Sequence, residues 1–169
     1  ALRNTITGLN ATGTAVWGIY MPTFVASALV DSNIISFTNT AVPAGGINMY
    51  NTGSVTYKVL GNKIYIPGGT QANSFGSNPN YAGIYTFANN TSTALPTPAQ
   101  VANNMITIGG SNVNYGISTY YTPSVLFYHN SILLTNTAIP ANSKIIADKG
   151  FIEYVNYNNR WIIFCGVSA

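Results

Sequence analysis

His129 is the only imidazole in the chain, Cys165 the only thiol, and Asp31, Asp148 and Glu153 the only side-chain carboxylates. Paired-carboxylate catalysis needs two acids on facing elements at a set separation. Only Asp148 and Glu153 are close in sequence. Asp148 falls in Ala147-Asp148-Lys149-Gly150, where a solvated turn Asp beside Lys is ordinary. Glu153 alternates with Ile152 and Tyr154, so strand periodicity points it away from the core. Nucleophilic catalysis would need His129 to activate Cys165 or a serine while Asp31 or Asp148 oriented the ring. His129 instead sits in Tyr128-His129-Asn130-Ser131, which reads as a turn between apolar strands.

Metal chemistry is equally short of reagents. One His, one Cys and scattered carboxylates do not make a zinc or iron site, and calcium needs clustered acidic oxygens. The Gly-Gly steps at Gly45-Gly46, Gly68-Gly69 and Gly109-Gly110 lack the Lys and the helix of a phosphate loop. The chain is therefore expected to be no enzyme and to carry no cofactor and no metal.

Charged residues make up 5% of the chain, against about 25% in ordinary domains. Asn, Thr, Ser and Gly take their place, so the surface should be hydrogen-bonding and nearly uncharged. Twelve Tyr, seven Phe and two Trp exclude the aromatic-poor composition of disorder. The net charge of +3 comes from Arg3, Lys58, Lys63, Lys144, Lys149 and Arg160, which form no run. Nucleic-acid binding, which needs clustered cations to displace counterions, is not expected.

A lone Cys165 forms no internal disulfide, and within Trp161-Ile162-Ile163-Phe164-Cys165 it reads as a buried, inert thiol. The uncharged run Ala15–Val30 is shorter than the ~20 residues of a membrane helix and holds Pro22. It reads as two buried strands with a bend at Met21-Pro22, so no membrane span is expected.

The elements that must position these residues are short strands. Runs rich in Val, Ile, Thr, Tyr and Phe are punctuated by Gly, Pro, Asn and Ser. Val55–Val59 and Ile64–Ile66 flank Gly61-Asn62, a dipeptide suited to the positive φ of a tight hairpin. Thr97–Asn104 reads as one helical turn, because Ala99-Gln100-Val101-Ala102 lacks strand character. Residues 68–98 read as a loop-rich connection, the kind of segment where binding resides on a rigid scaffold.

The most specific feature is a gapless internal likeness at an offset of 97. TNTAVPAGG from Thr38 returns as TNTAIPANS from Thr135, and Ile35, Gly53, Tyr57, Asn62 and Ile66 recur as Ile132, Gly150, Tyr154, Asn159 and Ile163. The paired motifs, 35–66 and 132–163, suggest duplication inside one domain spanning 1–169. Two copies fall short of the three or more that a solenoid needs. The fold expected is all-β: an antiparallel β-sandwich, a single jelly roll with two similar halves, with an immunoglobulin-like sandwich as the alternative.

Without catalytic reagents, the expected role is structural: a self-assembling viral coat subunit whose partners are copies of itself or other coat proteins. One alternative is an extracellular filament subunit in which the first strand, Leu2–Leu9, completes a neighbour's sheet. Another is the receptor- or glycan-binding head of a virus fibre. Tyr115, Tyr120, Tyr121 and Tyr157 are the candidate interface or glycan contacts, since tyrosine joins large area to a polar tip. Asn10, Asn89 and Asn90 satisfy the N-glycosylation pattern. The location expected is a virion or a cell exterior.

Overall fold

The computed structural model describes residues 1–11, 16–22, 27–40, 44–51, 56–67, 82–88, 97–109, 115–120, 125–135 and 144–149. Alternation dictates strands throughout. In Tyr57-Lys58-Val59-Leu60 and Lys63-Ile64-Tyr65-Ile66 the apolar and polar positions turn in and out residue by residue, the period-2 signature of a half-buried strand. The strands are β1 (Thr5–Ala11), β2 (Val16–Met21), β3 (Ala28–Asp31), β4 (Ile34–Thr40), β5 (Ala44–Asn51), β6 (Tyr57–Leu60), β7 (Lys63–Ile66), β8 (Ala82–Ala88), β9 (Ala99–Ala102), β10 (Met105–Ile108), β11 (Tyr115–Tyr120), β12 (Val125–Tyr128), β13 (Ser131–Leu134) and β14 (Lys144–Lys149).

They form three sheets that the chain visits in rotation. The first is ordered β1-β4-β7-β10-β13, the second β14-β11-β8-β5-β2 and the third β12-β9-β6-β3. Each strand pairs with the strand three places on, always in parallel. One circuit of the three sheets is one rung, and successive rungs stack. The architecture is a parallel β-helix.

This overturns the antiparallel sandwich, in both its jelly-roll and immunoglobulin-like forms. Both need antiparallel pairing between strands, whereas here consecutive strands lie in different sheets. The expected hairpin at Gly61-Asn62 is a corner: β6 leaves the third sheet and β7 enters the first. Gly61 does take positive φ (+61°), but it turns the chain around an edge instead of back on itself. The expected helical turn is strand β9, held on both sides by β6 and β12.

The solenoid set aside on a count of two copies is the fold itself, because its repeat is the rung. Successive corner asparagines lie 29, 29, 42 and 26 residues apart. The offset of 97 spans the last three of these coil lengths, carrying Ile35 of β4 onto Ile132 of β13 in the same sheet. The later part of the second motif, 150–163, lies outside the described residues, as do Glu153, Trp161 and Cys165.

Stacking puts like upon like. Ile6 pairs with Ile35, Ile35 with Ile64, Ile64 with Ile106, and Ile106 with Ile132. Across the core Ile19, Ile47, Ile84 and Ile117 form a second aliphatic column, and Val30, Val59 and Val101 a third. Tyr57, 1% exposed, fits between Ala28 before it and Ala99 after it, alternating large and small as dense packing requires.

At three positions where the second sheet faces isoleucines of the first, there is no room for a Cβ. A Cβ on Gly46 would stand 2.4 Å from the Gly83 carbonyl oxygen and 2.6 Å from Ile64 Cγ2; one on Gly83 would stand 2.3 Å from Ile106 Cγ2. Gly18 meets Ile35 Cγ2 at 2.4 Å in the same way. Of the Gly45-Gly46 step, Gly46 is the steric requirement of the core, while a Cβ on Gly45 would meet the Trp17 ring.

Candidate functional site

The chain's most repeated chemistry lies at the corner between the third and first sheets. Five successive corners place a residue at positive φ immediately before an asparagine: Arg3 (51°), Ser32 (55°), Gly61 (61°), Asn103 (57°) and His129 (54°). Left-handed backbone is costly for residues with a Cβ and lets the chain change direction within two residues. Gly61→Ala meets only ordinary contacts, the nearest at 3.4 Å, so its cost is conformational, about 1 kcal/mol. His129→Gly should recover up to about 1 kcal/mol by the same argument. Urea unfolding of both variants checks the two signs.

The asparagines that follow form a ladder. The Asn33 N–H and Nδ2–H both donate to Asn62 Oδ1 (3.0 and 2.8 Å). Asn62 donates in the same way to Asn104 Oδ1 (3.0 and 2.9 Å), and Asn104 to Asn130 Oδ1 (3.1 and 2.9 Å). Each Nδ2 also reaches back one rung: Asn62 to the Val30 carbonyl (3.1 Å), Asn104 to Val59 (3.0 Å) and Asn130 to Val101 (2.8 Å). Asn33, Asn62 and Asn104 are 0% exposed and Asn130 7%. A buried amide is tolerated only when its donors and acceptor are used, and this network uses them to fasten rung to rung.

The ladder begins at Asn4, whose N–H and Nδ2–H donate to Asn33 Oδ1 (3.0 and 2.9 Å). Its own Oδ1 has no partner among the described residues. Residues 1–3 run beside β3, with a parallel bridge from Leu2 to Asp31 and a bond from the Arg3 N–H to the Asp31 carbonyl (2.9 Å). They form the outermost segment of the third sheet.

The outer face of the second sheet is aromatic. Tyr50 and Phe87 stack at 4.6 Å with planes 14° apart, Tyr85 lies 6.5 Å from Phe87, and Trp17 6.2 Å from Tyr85. Trp17 belongs to this outer cluster with Ala82, Tyr85 and Tyr115, not to the core between the sheets where its apolar strand suggested it would be. Tyr115, a candidate contact residue, starts β11 and is only 3% exposed; burial pushes its phenol pKa up. A ring so covered offers little face to a sugar. Tyr120 lies at the end of β11, while Tyr121 and Tyr157 lie outside the described residues. Asn10 is exposed on β1; Asn89 and Asn90 are outside the described residues.

Of the described residues, His129, Asp31 and Asp148 lie on different elements. His129 is exposed at its corner, edge-on to the Tyr128 ring at 5.5 Å. Asp31 ends β3 and accepts from Ser32 Oγ (2.9 Å). Asp148 lies in β14. Among the described residues no three His, Cys, Asp or Glu side chains gather as metal ligands, and no helix is long and apolar enough to cross a membrane.

A stack of parallel rungs tied by one polar ladder and several aliphatic columns defines the class: a ladder-braced parallel β-helix. In comparisons with known proteins, no family model, curated protein or solved structure matches the chain.

The ladder escaped the sequence reading, although it left a signal. The word Asn-x-Ile recurs at Asn4, Asn33, Asn62, Asn104 and Asn130, each time with the Ile entering the same core column.

Proposed function

We propose that this chain is a non-enzymatic structural module, a rigid column of rungs serving at a virion or cell exterior. The observation that carries this reading is where the recurring side chains go. Asn33, Asn62, Asn104 and Asn130 are buried and engaged with one another, and the Ile and Gly columns hold rungs together. What repeats among the described residues maintains the column, and no group of three His, Cys, Asp or Glu side chains gathers there. A closed coat built of jelly rolls loses its premise with that fold, whereas a column suits a linear element.

The reading is tested by assaying the purified chain against a panel of polysaccharide, glycoside, ester and peptide substrates. No turnover above the blank is expected. Turnover that disappears in His129→Ala or Asp31→Asn would contradict the proposal.

A further inference from the structure

Asn48 breaks the pattern that the ladder keeps. It is buried like Asn33 and Asn62, at 1% exposed, yet its Oδ1 has no hydrogen-bond partner among the described residues. A buried acceptor left bare gives up its bonds to water and gains nothing in return. Its neighbours along β5, Ile47 and Met49, lie in the core, so alternation turns Asn48 toward the outer face of the second sheet. Beside it in register stand Tyr20 on β2 and Tyr85 on β8.

That face carries rings and no charge. Across β2, β5, β8 and β11 there is no Asp, Glu, Lys or Arg. Trp17, Tyr85, Phe87 and Tyr50 follow one another at 6.2, 6.5 and 4.6 Å between ring centroids, a track long enough for more than one sugar ring. Tyr120 takes the register position after Phe87. Gly45 gives the Trp17 ring room to lie over it, since a Cβ there would meet three of its ring atoms at 2.0–2.5 Å. Tyr85 and Tyr115 are buried and act as support; Trp17, Tyr50 and Phe87 are half-buried and Tyr20 is 52% exposed.

We propose that this face binds a neutral oligosaccharide. The apolar C–H faces of its sugar rings lie on Trp17, Tyr50 and Phe87, and one hydroxyl donates to Asn48 Oδ1. Tyr20, already more than half in water, swings aside to open that acceptor. The face selects the ligand's chemistry. An ionic ligand would be desolvated against strands that hold no countercharge, and a wholly apolar one would leave Asn48 bare. A sugar supplies both an apolar ring face and hydroxyl donors, which suits a site of aromatic area with one placed polar group. Binding of this kind goes beyond the structural reading above and needs no reaction.

Affinity electrophoresis of the full chain tests the proposal, in gels holding dextran, a galactomannan or a soluble β-glucan, with polygalacturonate as the acidic counterpart. At least one neutral polymer should retard the protein, unchanged by added salt, and polygalacturonate should not. Asn48→Leu removes the bare amide, so it should unfold at the same or a higher urea concentration than the wild type, yet bind about tenfold more weakly. Asn48→Ala repeats the test should leucine prove too bulky to fold. Tyr50→Ala should weaken retardation as well, whereas Tyr65→Ala, exposed on the first sheet, should leave it unchanged. No retardation by any neutral polymer, or equal retardation of wild type and folded Asn48 variants, would overturn the site. Loss of stability in both Asn48 variants would overturn its premise, because the amide would then be serving the fold. Turnover is measured separately, so the structural reading can fail while the site stands.

Discussion

Asn62→Asp is expected to destabilise the column more than Asn62→Ala at neutral pH, and to recover part of that loss in acid. Alanine removes the amide and leaves the Asn33 N–H and Nδ2–H without their acceptor. Orphaned buried donors cost about 1–3 kcal/mol each, so a loss of about 3 kcal/mol or more is expected. Aspartate keeps the acceptor but puts an ionised oxygen where Nδ2 stood, facing Asn104 Oδ1, the Val30 carbonyl and the Leu60 carbonyl. Burial and three facing oxygens both favour the protonated form, raising its folded pKa above the usual ~3.9. For a raised pKa, stability is greatest below the unfolded value and falls as pH rises toward and through the folded one. Urea unfolding at pH 3.5 and pH 7 should therefore show Asn62→Asp gaining on Asn62→Ala in acid. Equal stabilities of the two variants at both pH values would contradict the ladder's donor direction.

Gly46→Ala is the second large effect. The added Cβ would lie 2.4 Å from the Gly83 carbonyl oxygen, which is backbone in the neighbouring strand, and 2.6 Å from Ile64 Cγ2. Overpacking typically costs about 1–3 kcal/mol, and a backbone obstacle puts this case at the top of that range. Gly45→Ala is the control. Its Cβ meets the Trp17 ring at 2.0–2.5 Å, but Trp17 is a half-exposed side chain on the outer face and can swing away. Thermal unfolding should rank Gly46→Ala well below Gly45→Ala. Adding Ile64→Val to Gly46→Ala should rescue little, because the carbonyl contact remains.

These two positions show what the sequence made legible and what it hid. The all-β character could be read, because Lys58 and Lys63 alternate with Val59 and Ile64 as half-buried strands must. Parallel pairing could not be read from the same residues: alternation fixes which face is buried, not which strand lies alongside. Gly61-Asn62 misled because positive φ serves a hairpin and a corner alike. The asparagine completes the distinction, since here it turns inward and bonds to Asn33 and Asn104, 29 residues before it and 42 after it.

The period itself was disguised by uneven coils. The first two coils are 29 residues each, but the next two are 42 and 26, so no single short period runs through the chain and the likeness surfaced at 97, the sum of the last three coils. Asn-rich composition, which reads as a polar surface, in fact supplies part of the interior.

The account rests on like positions stacking one rung apart, and methyl–methyl nuclear Overhauser effects on isoleucine-labelled protein test that most directly. Contacts are expected from Ile35 to Ile64, Ile64 to Ile106 and Ile106 to Ile132, with none from Ile35 to Ile106, which lie two rungs apart. Absence of that sequential series, together with close cross-strand contacts between residues 57–60 and 63–66 as in a hairpin about Gly61-Asn62, would contradict the β-helix.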